Sequence, residues 1–114
     1  MGMAKEQIID RLASLSGSAR RLLDYLAILD GPGRYAVLRH LARATEEDMV
    51  VDLQETVAAG LVAAIEGDPN AYDFTDGELR PHLLANIGDM RLPKLRARAQ
   101  AAQRRVSGDL RLEP

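Results

Sequence analysis

A chain of 114 residues, 46% hydrophobic and 28% charged with a formal net charge of −2, has the makings of one domain with a modest core. Those proportions exclude a disordered chain. With no apolar run of about eighteen residues and no signal pattern at the start, a cytoplasmic location is expected. Cysteine is absent, which removes disulfides, thiolate chemistry and cysteine zinc sites.

Taken in order, residues 4–15 read as a first helix, with Ile8, Ile9, Leu12 and Leu15 on one face and Lys5, Glu6, Asp10 and Arg11 on the other. Ser16-Gly17-Ser18 interrupts it and supplies an N-cap for a second helix over 19–29, whose Leu22, Leu23, Leu26, Ile28 and Leu29 belong in the core. Asp30-Gly31-Pro32-Gly33 ends that helix. A short third helix over Tyr35–Ala42 carries Val37, Leu38 and Leu41, and leads through Arg43-Ala44 into a fourth.

The fourth helix, 45–59, is the best marked. Thr45 can accept a hydrogen bond from an orphan amide, and Glu46, Glu47 and Asp48 sit at the positive end of the helix dipole. Met49, Val50, Leu53 and Val57 make its apolar stripe, with Asp52 and Glu55 off it. Gly60 is expected just past the helix end with positive φ. A hairpin follows, 61–65 and 72–74, turned by Gly67-Asp68-Pro69-Asn70.

Thr75-Asp76-Gly77 then caps a fifth helix that starts regularly at Leu79 or Arg80, so that Pro81 falls in its first turn, and ends at Gly88. Leu83, Leu84 and Ile87 face inward. Pro93 suits the opening of a sixth helix over 94–106, which stops at Ser107-Gly108 and leaves 107–114 as a tail with Leu110 and Leu112 to anchor it. The fold class expected is mainly α: a winged helix, meaning a helix-turn-helix with a small β-hairpin, with additional N- and C-terminal helices, in one domain spanning 4–106.

The small net charge conceals a segregation. From Ala44 to Leu79 there is no Lys or Arg, while Glu46, Glu47, Asp48, Asp52, Glu55, Glu66, Asp68, Asp73, Asp76 and Glu78 all fall there. The last helix reverses the balance. Arg91, Lys94, Arg98 and Arg105 share roughly one side of it and form a candidate partner-binding stripe, with Leu95, Ala99, Ala102 and Val106 on a second, packing side. An acidic protein partner fits that stripe, and the acidic helix of a second copy is one candidate, so head-to-tail self-association is a reading to test.

The residues offer no catalytic constellation. Lys5 and Lys94 follow no glycine in a phosphate-loop pattern, His40 and His82 lack paired ligand spacing, and the adjacent acids of the fourth helix are explained by capping. The chain is therefore read as non-enzymatic, without a metal or cofactor, and not expected to bind ADP or ATP by itself.

Four segments, LSGSARRLLDYLAIL (15–29), LQETVAAGLVAAI (53–65), FTDGELR (74–80) and LPKLRARAQAA (92–102), together resemble the winged-helix module that follows the nucleotide-binding domain in bacterial signal-transduction ATPases of the STAND type, as in large regulators with a LuxR-type output. Gly60, Phe74 and Arg80 match the family pattern, whereas its nucleotide-sensing histidine position is Asp76. The resemblance implies a regulatory and protein-interaction module acting beside an ATPase domain, with Asp76 and Arg80 as the positions that could approach its nucleotide. Asp76 would repel phosphate, and its simpler role is a helix N-cap. The alternative is an autonomous winged-helix DNA-binding regulator. An acidic recognition helix and hairpin oppose that docking mode, because DNA contact needs cations near phosphate.

Overall fold

A computed structural model describes residues 4–111, the last five as backbone only. In chain order the elements are α1 (Lys5–Ala13), α2 (Gly17–Ala27), β1 (Gly33–Arg34), α3 (Tyr35–Ala42), α4 (Glu46–Ala58), β2 (Val62–Ile65), β3 (Asp68–Phe74), α5 (Leu79–Ile87) and α6 (Leu92–Arg111). The described chain is mainly helical, with a small antiparallel sheet in the order β1-β3-β2.

The centre is α2. Its N-cap is Ser16, whose hydroxyl accepts from the Ala19 amide, so the helix begins two residues earlier than the serine-glycine interruption suggested. Leu22, Leu23 and Leu26 are buried, and α3, α4 and α5 all pack against this helix. The short α1 buries only Ile8 and Leu12 and leaves Ile9 about half exposed (47%), so its packing strip is narrower than its apolar pattern.

α4 starts as its sequence requires, with Thr45 Oγ1 accepting from the Asp48 amide. Its buried face differs from the expected stripe. Met49, Leu53 and Thr56 are inside, whereas Val50 and Val57 are exposed together with Val51. Thr56 tolerates full burial because its hydroxyl donates to the Leu53 carbonyl at 2.7 Å, leaving no unsatisfied polar group. The helix ends in a Schellman arrangement: the Gly60 amide donates to Val57 O, the Leu61 amide to Thr56 O, and Gly60 has φ of 76°.

The hairpin turns earlier than expected, at Glu66-Gly67, and β3 begins at Asp68. Pro69, expected in the turn, lies instead in β3 beside a bulge. Ala64 faces Tyr72 while Ile65 faces Asp68, so Pro69, Asn70 and Ala71 are extra residues on the β3 side of that ladder. A proline that cannot donate to a ladder suits such a position. β1 is a strand that no periodicity announced. Its Gly33 pairs with Tyr72, and a Cβ there would lie 2.7 Å from Leu26 Cδ1 and 3.1 Å from Leu29 Cδ1, so any larger residue would force these core side chains to shift.

α5 starts at Leu79, and Pro81 lies in its first turn, where a missing amide leaves no helical bond unmade. Asp76 does not occupy the N-cap position, which belongs to Glu78. Its carboxylate accepts instead from the Glu78 amide, shaping the turn before the helix. α6 buries Leu95, Ala99 and Ala102 as the 3–4 spacing predicts, with Val106 partly buried. It does not stop at Ser107-Gly108: the backbone remains helical to Arg111, since one glycine costs a helix only about 1 kcal/mol. Residues 112–114 of the expected tail, and the anchoring side chains of Leu110 and Leu112, lie outside the described part.

Gly60 provides a direct check of this architecture. A side chain there must enter the left-handed region, and its Cβ would sit 2.7 Å from Arg11 Nη1. Gly60→Val is expected to destabilise the domain by at least about 1 kcal/mol in urea unfolding. An unchanged midpoint would contradict the helix end described here.

Candidate interaction surfaces

The acids of α4 divide into two sets with different work. Asp52 and Glu55 face α2. Glu55 accepts from the Ser16 amide at 2.6 Å and from the Ser16 hydroxyl at 2.9 Å, and Asp52 accepts from the Ser18 hydroxyl at 2.8 Å. They place negative charge at the start of α2, where the helix dipole favours it. Glu46, Glu47 and Asp48 remain exposed in the first turn of α4.

What α4 presents outward is therefore apolar with an acidic end. Val50, Val51 and Val57 are 40%, 61% and 44% exposed, with Gln54 also exposed among them. A groove of about 670 Å³ runs between this helix and α2, lined by Ser16, Ser18, Arg21, Tyr25, Arg43, Val51 and the α4 acids Asp48, Asp52 and Glu55.

The two positions that the family resemblance singled out are built into the fold. Asp76 is buried and shapes the turn before α5. Arg80 is half-buried. Its Nη2 donates to Gly31 O at 2.8 Å, with Leu26 O and Asp73 Oδ1 each at 3.4 Å, and its guanidinium lies over the Phe74 ring, 5.2 Å from the centroid. One side chain thus ties the end of α2 and the loop after it to β3.

The basic stripe of α6 is also divided. Arg91, Lys94 and Arg105 are exposed. Arg98 turns inward, donating to Leu41 O at 2.8 Å and lying over the Tyr25 ring at 5.7 Å, so its charge closes the end of α3. Arg105 instead faces Arg39, His40 and Arg43 across a groove between α3 and α6. The α3 cations were missed as site residues in the sequence because nothing there says that α3 and α6 are neighbours; the available signal was the absence of any carboxylate in both stretches.

Among the described residues no group of three or more His, Cys, Asp or Glu side chains could hold a metal ion, and no helix is long and apolar enough to cross a membrane. No family model, curated protein or solved structure matches this chain.

Because Arg80 bridges three elements, Arg80→Ala is expected to lower stability by about 2 kcal/mol, as for the loss of charge-assisted hydrogen bonds from a partly buried group. Urea denaturation measures this, and a midpoint shared with the parent protein would exclude a structural role for the contacts.

Proposed function

We propose that this chain is a winged-helix module working through protein contacts, a regulatory unit of a nucleotide-dependent signalling or transcription-regulator protein rather than a reader of DNA. The observation that carries the reading is the outward face of α4. In a DNA-binding winged helix this element supplies cations and amides to phosphates and base edges. Here it offers Val50, Val51 and Val57 beside Glu46, Glu47 and Asp48, and the hairpin that would form the wing adds Glu66 and Asp68.

Exposed valines rimmed by charge suit a protein surface, where apolar burial supplies affinity and the acids select a basic counterpart. In a protein that carries this chain beside a nucleotide-binding domain, that domain is the partner we assign. Arg80 and Asp76 enter such an arrangement as parts of the scaffold. The module has no catalytic role of its own in this reading. A DNA-binding regulator remains the second reading, and it would have to dock through the cationic α3–α6 side.

The cysteine-free sequence makes a direct test simple. A single Val51→Cys, labelled with an environment-sensitive dye, is expected to report burial when the adjoining domain is present and to be unaffected by duplex DNA at physiological salt. Fluorescence anisotropy with labelled duplexes across a salt series completes the test. Tight, sequence-dependent DNA binding, lost on changing residues between Thr45 and Asn70, would overturn the proposal.

A further inference from the structure

Two stretches of the chain, 31–45 and 90–108, contain no Asp or Glu. They are far apart in sequence, yet the fold packs α3 from the first against α6 from the second. The result is a groove of about 460 Å³ lined by Tyr35, Arg39, His40, Arg43, Arg105 and Val106. We propose that this groove binds a multiply charged phosphate anion, held by the guanidinium groups of Arg39, Arg43 and Arg105.

Two features of the site support this assignment. First, the ion pairs seen among the described residues, Arg20–Asp24 and Arg80–Asp73, involve none of the three arginines. Arg39 is steadied by its Nε, which donates to Ala44 O at 3.3 Å and leaves its terminal amino groups available. Arginines gathered along a groove whose own lining, among the described residues, holds no carboxylate favour an anion carrying more than one negative charge, and the planar guanidinium fork matches phosphate oxygens.

Second, Arg43 occupies a backbone conformation made for glycine. It ends α3 with φ of 51° and ψ of 38°, and it is the one non-glycine residue with positive φ among the described residues. Arg43 lines this groove and borders two others, one of which it shares with Asp48, Asp52 and Glu55. A left-handed backbone costs arginine more than it would glycine, and at this position the strained residue borders the groove.

The site differs in kind from a phosphate loop, since side-chain forks rather than backbone amides hold the anion. Its source is separable by experiment. Isothermal titration calorimetry of the whole chain with inorganic phosphate and pyrophosphate is compared with citrate, a carboxylate anion of similar charge, and with a short DNA duplex. Saturable pyrophosphate binding is expected, weakened about tenfold or more by Arg39→Gln and by Arg105→Gln. Arg43→Gly is the discriminating variant: it should weaken binding while the melting temperature holds or rises, a split that a purely structural arginine would not give. The proposal is overturned if neither phosphate gives a saturable signal, if the variants bind like the parent, or if citrate binds as tightly as pyrophosphate. Tighter binding of the duplex, lost in the same variants, would overturn the small-anion assignment in favour of a nucleic-acid backbone.

Discussion

The contact on which the arrangement depends is the one between Glu55 and Ser16. It joins the last turn of α4 to the residue just before α2 and satisfies an amide that the helix itself cannot. Since α2 is the helix against which α3, α4 and α5 pack, fixing its start relative to α4 fixes the frame for the others. It also engages Glu55, as Ser18 engages Asp52, in hydrogen bonds to the start of α2, while Val50, Val51 and Val57 remain exposed on α4. The same residues that make the helix look hostile to DNA in the sequence are, in the fold, partly structural.

Arginine does the reciprocal work at the other helix ends. Arg11 donates to Ala59 O at the end of α4, Arg80 reaches Leu26 O in the last turn of α2, and Arg98 donates to Leu41 O near the end of α3. Each comes from a distant part of the chain, and each brings positive charge to the negative pole of a helix while satisfying a terminal carbonyl. Carboxylates at a helix start and guanidinium groups at helix ends thus give Asp52, Glu55, Arg11, Arg80 and Arg98 structural work that composition alone does not reveal. Arg39 on α3 and Arg105 on α6 are exposed and, among the described residues, reach no helix-end carbonyl of a distant element.

The elements that could be read from sequence were those set by local chemistry. Thr45 and its following acids, the glycine stop at Gly60 and the limits of α3 depend on a few adjacent residues, and they appear where those residues put them. The apolar face of α4 was misread because valines lie on more than one side of the helix, and periodicity cannot choose which side meets α2. Burial of Thr56 in preference to Val57 depends on a hydrogen bond to Leu53 O. β1 is two residues long and exists only because β3 lies beside it. The cationic groove was half legible: Arg105 stood out in a basic helix, but Arg39 and Arg43 acquire their meaning from a packing between α3 and α6 that no local pattern encodes.

The sheet order β1-β3-β2 leaves a strand edge open on either side, and β2 carries the uncharged run Val62-Ala63-Ala64-Ile65. Unpaired amides beside such a run invite pairing with another chain, the first step of ordered aggregation. Two features oppose it. The edges are four and two residues long, too short to template more than a few bonds, and the bulge opposite Ile65 ends the regular ladder just where β2 would otherwise be extended. The proline-bearing excursion after the turn therefore acts as a terminator, limiting how far this small sheet can grow into a neighbour.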